Sequence, residues 1–431
     1  MDKMSYLTWT KDIPSSWKIV QIKYHFNLIT GFTPSSENEE YFDNDNGFTW
    51  VTIGDLSYER SVNDSKNKIS NKYVNDKKPQ IVPKGSLLYS YKLSVGQVAF
   101  AGKDLYTNEA IASFIPNKDL SYLYYASSLI EYNANENIYG AKLLNQELIK
   151  NAYIALPPEN IQDKIVKILD DKCSKINDSI LNIEKQIEYY KQLKTSIITE
   201  AVFGSLNSKK KKNSGYEWIG NIPFDWALKP FRYILKERKE KNNPILSTER
   251  LSLSIDKGVT LYSEKTTNLD RFKDDFSKYK LAYPGDLVMN SMNVIVGAVG
   301  VSKYFGCISP AYYSFYDDDE EDVYSKYVNY IFLSKPIRKV LYCLGKGIYS
   351  IDRGDDKINT CRLKVPVEEI KKMYLPVPSR DECIEIISYL DKKIKTINDI
   401  INSLDKELLL LNEYKKAIIY EYVTGKKEVV Q

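Results

Sequence analysis

Histidine and cysteine are scarce in this chain, and each scarcity removes a class of chemistry. One histidine, His25, stands in 431 residues. That excludes sites built on two or more imidazoles, such as an HExxH metalloprotease or a facial triad. The five cysteines (Cys173, Cys307, Cys343, Cys361, Cys383) lie far apart and form no CxxC pair. Neither a zinc site nor a disulfide framework is expected from them. No run of about eighteen apolar residues occurs, so no membrane-spanning helix is expected. The opening MDKMSYLTWTKD lacks an apolar signal core, which predicts a cytoplasmic protein. A bulk basic charge is also missing: 61 basic and 57 acidic residues leave +4, and residues 1–155 carry −1. A nucleic-acid reading therefore needs local clusters rather than net charge. With 43% hydrophobic and 27% charged residues the chain is nonetheless able to build cores. Its richness in tyrosine (35), lysine and asparagine is equally explained by a biased genome.

Phosphate loops and nucleotide fingerprints are absent too. Gly345-Lys346-Gly347 lacks the upstream glycine and the Ser/Thr of a P-loop, and no Rossmann glycine pattern follows a strand. The Asn-Pro-Pro-aromatic tetrad of adenine methyltransferases is not found; Leu156-Pro157-Pro158-Glu159 reads as a helix entrance. The acidic run Asp317–Asp322 points its carboxylates in divergent directions and reads as a solvated loop rather than a metal site. No catalytic constellation emerges, and no metal or cofactor is expected on this chain.

What is present is an internal repeat. Trp9 and Trp17 bracket WTKDIPSSW, and Trp218 and Trp226 bracket WIGNIPFDW, with Ile13-Pro14 and Ile222-Pro223 at the same place, 209 positions apart. Pro157 to Gly204 repeats as Pro378 to Gly425 at an offset of 221. The second half thus carries a net twelve extra residues between its landmarks. Within the later repeat, Ile176, Ile180, Ile183, Ile187 and Tyr190 step by four and three. Ile397, Ile401, Leu404, Leu408 and Leu411 do the same at equivalent positions. A 3.5-residue period marks a coiled-coil seam, and two matched stripes in one chain can cover each other. A seam that dimerises the protein is the alternative. Each helix is expected to run about 40 residues, led by proline and closed by glycine.

The reading divides the chain into 1–155 and 216–375 as two modules, 156–207 and 376–431 as the helices, and 208–215 as a linker. The linker's four lysines are solvated or touch phosphate. Short β-branched and aromatic runs between Gly/Asn/Asp/Pro turns make the modules strand-rich, so the fold class is α+β. Aligned tracts such as Gly96–Phe100 with Gly297–Val301 give them a common scaffold with different faces.

Polar clusters beside turns supply candidate DNA contacts: Tyr91 and Lys92, Tyr139 and Lys142 in the first module; Asn290 and Asn293, Lys346, Tyr349 and Arg353 in the second. Asparagine reads adenine edges, arginine and lysine read guanine edges, and lysine pairs with phosphate. Solvated loops explain each cluster as well.

The doubled W-x-x-x-I-P-x-x-W entrance, Gly31-Phe32-Thr33-Pro34-Ser35 followed by Tyr41-Phe42 and Phe48-Thr49-Trp50-Val51, Ser309-Pro310-Ala311-Tyr312-Tyr313, and the repeated Pro-led helix with its Lys-x-x-Ile-Ile-x-Glu-x-Val-x-Gly close occur together and in order. In this combination the chain resembles, along nearly its whole length, the DNA-specificity subunit of type I restriction–modification systems. The resemblance implies two target-recognition domains on the halves of a split DNA site, two antiparallel spacer helices, and no catalytic residues. It implies as partners double-stranded DNA, two methyltransferase subunits using S-adenosylmethionine, and, in a full nuclease, two restriction-translocase subunits using ATP and Mg2+. Two departures stand out. The helix entrances carry Asn160-Ile161-Gln162 and Asp381-Glu382-Cys383 in place of the family's frequent Glu-Gln pair, and the first module is net negative. The alternatives are the specificity subunit of a type IIB-like enzyme and a non-DNA scaffold with two binding modules on a helical strut.

Overall fold

The computed structural model describes residues 8–56, 59–92, 94–136, 142–204, 210–264, 275–318, 321–347 and 363–429. Its chain condenses into two units, one of residues 1–184 with 406–431 and one of residues 185–405. Two helices of 44 residues are shared between them: α1, Glu159–Val202, and α2, Arg380–Val423. Each unit therefore contains one strand-rich module, part of α1 and part of α2.

In the first unit the central sheet runs Leu28–Thr30, Ile111–Phe114, Leu87–Ser90, Val98–Ala101 and Ser61–Val62, with only the last pair parallel. The second unit repeats the first four strands as Lys236–Arg238, Tyr312–Tyr316, Leu287–Asn290 and Val299–Val301, in the same order and all antiparallel. Strand Lys18–Gln21 pairs with Tyr153–Leu156 just before α1, and Ala227–Pro230 pairs with Tyr374–Val377 just before α2. Mixed helix and strand content, with long non-local pairings, is the α+β class expected. The tip-side elements differ. The first unit adds Phe48–Val51 between Lys68–Ile69 and, in parallel, Tyr106–Thr107; the second adds the hairpin Leu251–Ser254 with Gly258–Leu261.

The seam residues line the helices as their spacing requires. Ile176, Ile180, Ile183, Ile187 and Ile397 are buried, and Ile401, Leu404 and Leu408 are half-buried. In the first unit Lys415 Nζ donates to Asn177 Oδ1 at 2.7 Å, and in the second Lys194 Nζ donates to Asn398 Oδ1 at 3.0 Å. The two pairs stand at positions equivalent under the repeat offset of 221, Asn177 with Asn398 and Lys194 with Lys415. Burial holds both ammonium groups below the ordinary lysine range.

The helix ends show what the repeated entrance motif does. Gly204 and Gly425 adopt left-handed φ values of +69° and +72°. A Cβ on Gly204 would lie 2.2 Å from Pro223 Cδ, and one on Gly425 would lie 2.4 Å from Pro14 Cδ. Each W-x-x-x-I-P-x-x-W segment is thus the clasp that receives a helix terminus, and only glycine admits the proline ring so closely. Above each clasp a buried tyrosine ties the module to both helices. Tyr122 Oη donates to the carbonyls of Ala155 and Val423, and Tyr327 Oη to those of Val202 and Pro376. Tyr125 Oη donates to Asp170 and Tyr330 Oη to Asp391 in the same equivalent way.

One expectation is corrected. Residues 210–215 are not an open linker: Lys211–Asn213 forms a strand antiparallel to Asn221–Pro223. That pairing supplies backbone hydrogen bonds the lysine-rich composition gave no sign of. Residues 205–209 lie outside the described residues.

Candidate nucleic-acid interface

In the second unit the structure brings two sequence clusters together. Val365 N donates to Ser291 O at 2.9 Å, so the turn of residues 290–293 adjoins the pair Lys346 and Lys364, whose backbones exchange two hydrogen bonds of 2.9 Å. Asn293 and Lys346 are exposed there. Lys364 joins Lys346, Tyr313, Pro366, Val367 and Glu368 around a recess of about 370 Å³. Lys280 stands close by, its Nζ donating to Tyr312 O at 2.7 Å and lying 5.5 Å from the Tyr313 ring centroid. Burial, together with the Lys364 charge, holds the Lys280 ammonium below its usual range despite Glu237. Three cations so placed attract phosphate oxygens. Lys280 and Lys364 were missed from the sequence because they are 84 residues apart and neither sits in a basic run.

Other candidates fall differently. Asn290 is 9% exposed and its Oδ1 accepts from Met292 N, so it caps the turn instead of presenting an open amide. Tyr91 is a correction: it is 3% exposed, its hydroxyl donates to Glu109 O at 2.6 Å, and its ring belongs to the first unit's core. Its alternation with buried Tyr89 put both rings in the sheet's interior. Lys92 beside it is exposed. Lys142 lies in a short strand whose backbone pairs with Glu136. That hairpin occupies the place held in the second unit by the Lys346–Lys364 bridge, with five residues between its bridging positions against seventeen. Tyr139, Tyr349 and Arg353 lie outside the described residues.

The residues that carried the family resemblance in the first module assemble into one aromatic cluster. Trp50 Nε1 donates to Phe32 O at 3.0 Å, Phe32 stacks on Tyr73 at 5.1 Å, and Tyr41, Phe42 and Tyr106 pack around them. Their role here is to shape the module. The module meets the helices through Arg60, which pairs with Asp170 of α1 and lies 5.1 Å over the Tyr124 ring. These groups border a cleft of about 710 Å³ whose helix side includes Asn177, Lys415 and Lys416.

His25, the sole imidazole, is engaged structurally through Nε2 with Asp119 at 2.7 Å. In the acidic run, Asp318 pairs with Lys236 and Asp317 accepts from Tyr324 N, while Glu321 pairs with Arg380. Among the described residues no group of carboxylate, histidine and cysteine ligands is arranged for a metal, and no helix is long and apolar enough to cross a membrane.

Comparison with known proteins agrees with this architecture. Residues 14–189 match the family described as the type I restriction modification DNA specificity domain. The chain is 24% identical to the MjaX type I restriction enzyme specificity subunit of Methanocaldococcus jannaschii, covering 97% of this chain and 95% of that one. It is also 24% identical to the MjaVIII specificity subunit of the same organism, over 97% and 94%. The fold is similar, at a TM-score of 0.63 and 13% identity, to a solved chain from work on complex assembly and conformational transition of the type I R-M system, over 96% of this chain and 99% of that one. The doubled clasp and the paired helices thus accompany a specificity-domain match over residues 14–189 and likeness along nearly the whole chain to two type I restriction enzyme specificity subunits.

Proposed function

We propose that this chain is the non-catalytic recognition subunit of a type I restriction–modification complex, that each of its modules reads one half of a bipartite duplex site, and that α1 and α2 set the gap between the halves. The observation that carries this reading is the duplication of the module-to-helix ties Pro14/Gly425 with Pro223/Gly204 and Tyr122 with Tyr327, and of the helix-to-helix pair Lys415–Asn177 with Lys194–Asn398, beneath modules whose outer elements differ. Equal mounts with unequal faces suit two different half-sites and two copies of one partner.

The partner in this reading is a methyltransferase subunit, bound twice, with S-adenosylmethionine held by that subunit; restriction-translocase subunits with ATP and Mg2+ join in the full nuclease. Leu409, Leu410 and Tyr414 in the first unit, and Tyr189 in the second at the position equivalent to Leu410, are exposed apolar groups on the helices that such subunits would cover. A gel-shift series over salt concentration, with and without the methyltransferase, tests the reading. A two-part sequence preference that appears with two bound methyltransferase copies supports it. Binding indifferent to nucleotide order overturns it and returns the scaffold alternative. The genes adjoining this one distinguish a type IIB-like system.

A further inference from the structure

The two most exposed large hydrophobic side chains among the described residues are Tyr24, at 80%, and Tyr233, at 71%. They are 209 positions apart, the offset of the repeated entrance motif. The local frame around each is the same. Ile22 and Phe231 are fully buried at the ends of equivalent strands. Their amides donate to Ala152 O at 2.9 Å and Met373 O at 2.8 Å. So pinned, the next two residues turn outward in both units: Lys23 and Tyr24, Arg232 and Tyr233. Lys23 Nζ lies 5.0 Å from the Tyr24 ring centroid and Arg232 Cζ lies 5.1 Å from that of Tyr233. Lys23 is further steadied by Asn151 Oδ1 at 2.8 Å.

A single exposed tyrosine needs no explanation. A cation and tyrosine kept outward at one equivalent position, beneath modules with different tips, serve something common to both halves. Neither Lys23 nor Arg232 joins an ion pair among the described residues, whereas Lys72, Lys118 and Lys236 are each paired with a carboxylate. Both therefore keep their charge for an external anion. Lysine in one unit and arginine in the other is an exchange that a phosphate oxygen accepts, while a bidentate carboxylate contact does not tolerate it.

We propose that Lys23–Tyr24 and Arg232–Tyr233 are matched clamps for the phosphodiester backbone of duplex DNA, one per unit, holding the duplex without reading bases. The clamps rest on the DNA-recognition reading and extend it to sequence-independent contacts. The cation meets a phosphate oxygen and the tyrosine hydroxyl donates to the same or the neighbouring phosphate.

The test uses the full chain with its methyltransferase subunits and two labelled duplexes, one cognate and one unrelated. Lys23→Gln with Tyr24→Ser, and Arg232→Gln with Tyr233→Ser, are compared with the wild type by anisotropy across salt concentrations. Several-fold weaker binding, equal on both duplexes, with the log–log salt slope reduced by about 0.9 per cation removed, supports the clamps. The methylated sequence stays unchanged, and Lys23→Arg with Arg232→Lys retains binding. Unaltered DNA affinity overturns the proposal, as does loss of a methyltransferase copy in native mass spectrometry with intact DNA contact by the remaining complex. Should a double variant fold poorly by circular dichroism, the single Lys23→Gln and Arg232→Gln substitutions give the same readout. A wild-type complex with no sequence preference would defeat the recognition reading itself; a selective wild type with unaffected variants would defeat only the clamps.

Discussion

At the residue scale, the informative groups are polar ones inside the helical seam. Lys194 and Asn398 are half-buried partners among isoleucines and leucines. Such a pair is weak evidence for stability but specifies register, since a slipped seam would leave an ammonium facing methyl groups. Asn398→Leu should therefore cost about 1–3 kcal/mol by stranding the lysine. The double variant with Lys194→Leu should recover most of that loss in urea unfolding. The depressed Lys194 ammonium also fixes a pH dependence. The unfolded chain holds that proton up to the ordinary value of 10.5 while the folded chain releases it earlier, so stability rises with pH in the window below 10.5. Lys194→Met should remove its share of that rise, as read by unfolding midpoints between neutral pH and 10.5. None of this was legible in the sequence, where Lys194 and Lys415 counted only as matching letters. Tyr91 was misplaced for a related reason: aromatic and basic neighbours at a turn look alike whether the ring faces water or the core.

At the scale of elements, the helices were the most legible part. A sustained 3.5-residue period with proline before and glycine after gave 44-residue helices within the expected 156–207 and 376–431. Their glycine ends carry more than a stop signal. Gly425→Ala would place a Cβ against Pro14 in a left-handed backbone, costing about 1–3 kcal/mol for the conformation alone; a lowered melting temperature of the purified chain checks this. The modules were less legible because their strands pair over long separations, as Leu28–Thr30 does with Ala112–Phe114, and local composition carries no record of such partners. The lysine-rich strand Lys211–Asn213 exists only through Asn221–Pro223. The helices also define a spacing test. Removing residues 183–189 together with 404–410 keeps both lysine–asparagine pairs and takes out two turns of each helix, about 10 Å. The gap between methylated half-sites should shrink by about three base pairs while each half keeps its sequence. An unchanged gap in methylation mapping would count against the spacer role.

At the scale of the whole molecule, the duplicated chain carries equivalent module-to-helix mounts beneath modules whose outer elements differ. The repeat at offsets of 209 and 221 was visible in the letters because the clasp and the seam are set by short-range steric and periodic requirements. The cluster of Lys280, Lys346 and Lys364 was not visible, because these residues converge only through the fold of the second unit. The most direct measurement exchanges residues 18–155 for the corresponding module of another family member and maps methylated adenines in cells that also express the methyltransferase. The account predicts that one half of the recognised site changes while the other half and the gap are retained. A change in both halves, or a single uninterrupted site, would contradict it.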